Sequence, residues 1–176
     1  MKKLHFTFLA VILSVIITAC NTTKGDPSQL DNVEINQISV KKSSSITCKL
    51  GDTPQVIISS LGTPGTSYSV FFEIEEKDAL VYDYDGTKFY FLDNKLYSYA
   101  ISSPVFLVGS GSAGVFFNVG APLSSVSDYL PNWSSKRKER NLSANITNGG
   151  QLTDKYIYIE FNPSTEIITH ISIESY

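Results

Sequence analysis

The chain has 176 residues, 42% of them hydrophobic, enough to bury a core as one domain or as two small fused ones. Its 14 Lys and Arg against 17 Asp and Glu give a net charge of −3, which argues against a nucleic-acid partner. Two cysteines are too few for a disulfide scaffold, so the fold must rest on packing.

The N-terminus sets Lys2 and Lys3 before an apolar run over residues 6–17, too short to span a membrane comfortably, and small residues precede Cys20. This pattern resembles a bacterial lipoprotein signal (residues 1–19) ending in a lipobox. The resemblance implies cleavage before Cys20, a diacylglycerol thioether on its sulfur and an acylated amine, and two or more acyl chains anchor a protein stably. Asn at position 21, where Asp would mark inner-membrane retention, favours by the same resemblance the outer membrane, on its periplasmic or cell-surface side. Loss of residues 1–19 leaves 12 cations against 17 anions, a net charge of −5. Residues 20–44 are polar, with Pro27 and several Ser, Asn and Gln, and read as a flexible tether. Cys48 then holds the one unmodified thiol, and its alternation with Ile46 and Leu50 predicts a buried strand position.

A first module is expected over residues 45–103. After the strand at residues 46–50, Thr53 is a natural helix N-cap with Pro54 at the first helical position, and Gly62 with Pro64 ends the helix. Residues 67–75 fit neither strand nor helix period cleanly. Residues 80–101, LVYDYDGTKFYFLDNKLYSYAI, predict three strands joined by two-residue turns at Asp85-Gly86 and Asp93-Asn94, because Gly, Asn and Asp tolerate the positive φ of such turns. Counting outward sets Asp83 opposite Lys88, Tyr82 opposite Phe89 and Phe91 opposite Leu96. One face then collects Leu80, Tyr82, Tyr84, Phe89, Phe91, Leu96 and Ala100. The other collects Val81, Tyr90, Leu92, Tyr97, Tyr99 and Ile101. Neither face is plainly polar, so the tyrosine-rich side needs either a second layer or a partner.

Residues 104–114 read as a linker or hairpin loop. Within them Gly109-Ser110-Gly111-Ser112-Ala113-Gly114 matches G-x-G-x-x-G, but residues 115–119 read as strand where a dinucleotide site needs a helix N-terminus. A second module is expected over residues 115–176. Gly51, Ile57 and Leu61 recur as Gly120, Val126 and Leu130, each 69 residues later, and the hairpin recurs in the tail at offsets of 70 and 71. That alignment predicts a core face of Ile157, Ile159, Phe161, Ile167, Thr169 and Ile171, with Tyr156, Tyr158, Glu160, Ile168 and His170 opposite. Lys136, Arg137, Lys138 and Arg140 form the one basic cluster in an acidic chain, beside Trp133, and are candidates for contact with lipid headgroups or an acidic partner.

The segment of strand, Gly51-x-Thr53-Pro54-x-Val56, Leu61-Gly62-x-Pro64 and antiparallel meander resembles the SmpA/OmlA (BamE-like) lipoproteins, and two tandem copies resemble the arrangement of the β-lactamase inhibitor protein. The resemblance implies a non-enzymatic envelope protein that binds other proteins. The second copy departs from the pattern, with Leu130-Pro131-Asn132 in place of Leu61-Gly62-x-Pro64.

Few residues suggest chemistry. Once the signal is removed His170 is the one histidine, and no Ser/His/Asp or Cys/His set and no metal-ligand spacing can be assembled. The expected fold is therefore α+β, two tandem modules that each pack a short helix or helix pair on an antiparallel meander. The expected function is an outer-membrane-anchored, monomeric assembly accessory with a protein partner in the envelope, its interface at Tyr90, Tyr97, Tyr99, Tyr156, Tyr158 and His170. No cofactor, metal or enzymatic activity is expected. The alternative is an inhibitor or immunity-type protein that binds a secreted enzyme.

Overall fold

The two short turns fix the centre of the fold. Asp85 and Gly86 have φ of 56° and 87°, and Asp93 and Asn94 have 48° and 62°, all in the left-handed region that these residues tolerate. They join β5 (Lys77–Tyr84), β6 (Thr87–Leu92) and β7 (Lys95–Ile101). Asp83 pairs with Lys88, Tyr82 with Phe89 and Phe91 with Leu96. Beyond Leu96 the facing departs from simple alternation. A β-bulge places Tyr90 opposite Ser98 while Phe91 stays opposite Leu96, so Tyr97 is the extra residue. One inserted residue turns the rest of β7 over. Tyr99 pairs with Phe89 and is 1% exposed, and Ile101 is fully buried. Tyr99 is therefore a core residue and drops out of the expected interface.

The computed structural model describes residues 31–43 and 46–175. The expected α+β pair of helix-on-meander modules is not what they form. Strands dominate, with two α-helices among the described residues: α1 (Pro54–Leu61), capped by the Thr53 hydroxyl, and the four-residue α2 (Trp133–Lys136). In the second half, Leu123–Val126 makes a 3-10 turn where a helix like α1 was expected. Ser, Asp and Pro are weak helix formers, because Ser and Asp side chains favour caps and turns over helix interiors, and the run Ser124, Ser125, Ser127, Asp128 and Pro131 carries little helical propensity.

Twelve strands make two sheets. β1 (Asn32–Glu34), β4 (Thr66–Phe72), β10 (Asn141–Asn148), β11 (Gln151–Asn162) and β12 (Ile167–Ser175) join β5, β6 and β7 in an eight-stranded sheet of order β1-β10-β11-β12-β7-β6-β5-β4. It is mixed, because β1 runs parallel to β10. The second sheet has the order β3-β2-β8-β9, from β2 (Ser39–Lys42), β3 (Cys48–Lys49), β8 (Phe106–Ser110) and β9 (Val115–Asn118). The segment expected as tether thus supplies β1 and β2, and the one expected as linker supplies β8.

The pairings recur along the chain. Gly51 donates to the Leu96 carbonyl at 2.8 Å and Leu96 to that of Asp52 at 2.7 Å; Gly120 donates to Ile168 at 2.8 Å and Ile168 to Ala121 at 2.9 Å. A bulge also interrupts β12, with Phe161 opposite Ile168 and Glu160 opposite His170. In consequence Ile168, expected on the outer face, is fully buried, while Thr169, expected in the core, is exposed. The halves meet in the large sheet at Ile171–Ile101 and Ser172–Ala100 between β12 and β7, while the second sheet joins the expected tether to the expected linker at Val40–Val108 between β2 and β8. They close one core rather than two.

That core lies between the sheets. Phe106 of β8 packs edge-on against Tyr84 and Phe89, at centroid distances of 5.9 and 5.8 Å, and Phe117 packs against Tyr129. Ile57 and Leu61 of α1, with Leu123, Val126 and Leu130, fill its flanks. Each such side chain contributes about 1.5–3 kcal/mol when removed from water. Cys48 sits in the same cluster, fully buried, and burial pushes its thiol pKa up to about 11. The described chain enters this body through Asp31. Its buried carboxylate accepts from the Asn132 backbone N–H at 3.1 Å and side-chain amide at 3.0 Å, while its carbonyl accepts from Asn145.

Candidate functional site

The outer face of the large sheet carries the remaining predicted residues in two groups. In the first, Tyr90 and Tyr97 both pack against Phe72 of β4, with ring centroids 5.6 and 6.1 Å away. Ala79 and Val81 are buried on the strand between, so this side holds a small apolar cluster of its own. In the second, Tyr156 and Tyr158 meet edge-on at 6.4 Å, and the Tyr156 hydroxyl donates to Glu174 at 2.8 Å. His170 stands apart from both and bonds the Ser102 hydroxyl through Nδ1 at 3.0 Å. All five are partly exposed, and the second sheet covers the opposite side.

Tyr97 is the hub of the first group because the bulge holds it at the split between β7 and β12. These strands share ladder pairs at Ile101–Ile171 and Ala100–Ser172. At Tyr97 the neighbouring strand is reached through side chains instead: its hydroxyl donates to Glu75 and bonds Ser175 at 3.1 Å, and Ser98 donates to the Ile173 carbonyl at 2.6 Å. Burial, then the Glu75 hydrogen bond, raise the Tyr97 pKa. Lys155 of β11 lies over the Tyr97 ring at 2.8 Å from its centroid and donates to the Tyr97 carbonyl at 3.0 Å. Burial pushes the Lys155 pKa down to about 8, against the opposing pull of Asp154 and Glu75.

Two hollows open on either side of Tyr97. The larger, about 750 Å³, is lined by Ile35, Leu50, Leu92, Leu96, Lys155 and the Lys77–Asp93 ion pair among others. The smaller, about 430 Å³, lies between the β4–β5 turn and the ends of β7 and β12. Phe71 and Ile74 at that turn are 62% and 73% exposed.

The basic cluster divides. Arg137 pairs with Glu166 at 2.5 Å and stacks over Phe161 at 5.0 Å, so it holds α2 to the large sheet. Lys138 and Arg140 are exposed, and Lys136 is half-buried at the end of α2. Cys20, with the whole signal, lies outside the described residues. Among the described residues no three His, Cys, Asp or Glu side chains gather where a metal could be held.

Sequence reasoning missed Lys155, Glu75, Phe71 and Ile74. Lys155 belongs to the core-facing phase of β11, next to Tyr156, and a lysine in that phase was the available signal. Glu75 and Ile74 fell in a segment whose period could not be read. No protein-family model matches the chain, and comparison with curated proteins and with solved structures finds no match. The SmpA/OmlA resemblance rests on the sequence motif alone.

Proposed function

We propose that the chain is a non-enzymatic protein-binding lipoprotein of the cell envelope, held at the outer membrane by acylated Cys20 and engaging its partner through the β4–β5 turn and the Tyr97 ridge. The observation that carries this reading is the turn itself: Phe71 and Ile74 project into solvent beside an open hollow. Large apolar side chains displayed next to a recess are the usual composition of a binding hot spot. The Tyr90, Tyr97 and Phe72 rings extend that surface with rigid contact area and polar tips. The lipobox and the acidic charge of the remaining chain support the address and argue for a protein rather than a nucleic-acid partner.

The test is capture from an envelope fraction by the chain from residue 21 onward, which holds every element of the described fold. The Phe71→Ala/Ile74→Ala double variant is expected to lose about 2 kcal/mol or more of affinity for the captured protein, measured by calorimetry. Tyr97→Ala is expected to weaken the same complex, and Tyr158→Ala, in the second tyrosine group, to weaken it less. Unchanged affinity in the double variant overturns the reading. A tight complex with a single secreted enzyme, inhibited on binding, would place the chain in the inhibitor class.

A further inference from the structure

The larger hollow holds a cation that makes no ion pair among the described residues. Lys155 reaches into it from β11, and an ammonium can donate three hydrogen bonds. One goes to the Tyr97 carbonyl, and the Tyr97 ring lies beneath the charge. No carboxylate among the described residues lies at ion-pair distance from it. Glu75, which lines the same hollow, accepts from the Tyr97 hydroxyl, and Asp93 is taken by Lys77. Asp154 and Glu75 act on this charge only from beyond ion-pair distance. A cation partly withdrawn from water without a direct counter-ion is costly, so a lysine lining a cavity with one of its three donors used marks the place of an anion.

The rest of the lining defines what that anion is attached to. Ile35, Leu50, Leu92 and Leu96 are aliphatic, and about 750 Å³ is within the range of small-molecule sites. We propose that this hollow binds an amphiphilic monocarboxylate of the medium-chain fatty-acid type, its head on Lys155 and its unbranched tail along Leu50, Leu92 and Leu96. One half-buried ammonium balances a single negative charge. A dianion such as a phosphate monoester would leave one charge unmatched against Glu75. Lys95, exposed and also lining the hollow, adds attraction on approach. Burial already holds the Lys155 pKa near 8, and an anion at Nζ would offset that cost.

The experiment is isothermal titration of the chain from residue 21 onward with decanoate, and with acetate and decanol as head-only and tail-only probes. Decanoate is expected to bind, with both probes weaker by roughly tenfold or more, and Lys155→Met is expected to weaken decanoate by about tenfold or more, as loss of one charge-assisted hydrogen bond implies. Leu50→Trp fills the hollow while keeping the charge and is expected to abolish decanoate binding, with near-UV circular dichroism confirming the fold of each variant. Should Lys155→Met fail to fold, a decanoate-induced shift of the Lys155 ammonium nitrogen resonance in the wild-type chain supports the site, and no shift overturns it. The proposal also falls if decanoate gives no heat, if acetate or decanol binds as tightly, or if Lys155→Met or Leu50→Trp leaves its affinity unchanged. None of these outcomes depends on the partner surface at Phe71 and Ile74.

Discussion

Tyr99 carries a hydroxyl into the middle of the core, and nothing among the described residues bonds it. Burial raises its pKa well above the ordinary tyrosine value, and the neighbouring Tyr129 adds to the rise. A buried hydroxyl without a partner costs free energy that a phenyl ring of the same shape avoids. Tyr99→Phe is therefore expected to raise stability by about 1 kcal/mol in urea unfolding, while leaving partner capture intact. A destabilised Tyr99→Phe variant would mean the hydroxyl is bonded. Tyr99 also illustrates what sequence could and could not give at this scale. The Asp83–Lys88 pair was legible because turn chemistry at Asp85-Gly86 counts the register outward from a known point. The bulge at Tyr97 was not, because Ser98-Tyr99 continues an unbroken aromatic alternation that reads equally well in either facing.

Among the elements, the β8–β9 hairpin shows how a glycine motif divides into positions that need glycine for different reasons. A Cβ at Gly109 would overlap the Val115 carbonyl oxygen and stand 2.8 Å from the Phe116 Cα, both backbone atoms that cannot swing aside. At Gly114 the same atom would meet nothing, and φ of 70° is the sole demand. Gly109→Ala is accordingly expected to cost about 3 kcal/mol through forced strand separation, and Gly114→Ala about 1 kcal/mol for its left-handed backbone; thermal unfolding of the pair checks the order. The G-x-G-x-x-G spacing was legible as a turn between strands, and the hairpin confirms that local reading. The apolar residues 105–108 were legible as a strand, but β2 and its pairing with β8 were not. Each is short, and each gains its partner from a residue far away in sequence, Val40 against Val108.

For the whole molecule, the shared core predicts cooperative behaviour. Gly51 and Gly120, 69 apart, make similar hydrogen bonds to strand residues, yet β12 pairs with β7, β2 pairs with β8, and Phe106 of the expected linker packs on Phe89. Far-UV and near-UV circular dichroism are expected to report one coincident unfolding transition in guanidinium. Two resolved transitions would restore the picture of independent modules. The glycine spacing of Gly51 and Gly120 was legible, but not the way the two stretches join, because antiparallel strands meeting edge to edge leave no mark on either strand's own pattern.

The clamp at Asp31 has a mechanical consequence. If Cys20 is moored in a bilayer, as proposed, a tug between membrane and partner reaches the described fold at its first residue, Asp31. It then meets the Asn132 donors and the three parallel rungs of β1 on β10, the middle one carrying the core residue Val33. The mooring point is therefore stitched into the core itself, and a pull strong enough to part these rungs draws Val33 out with them.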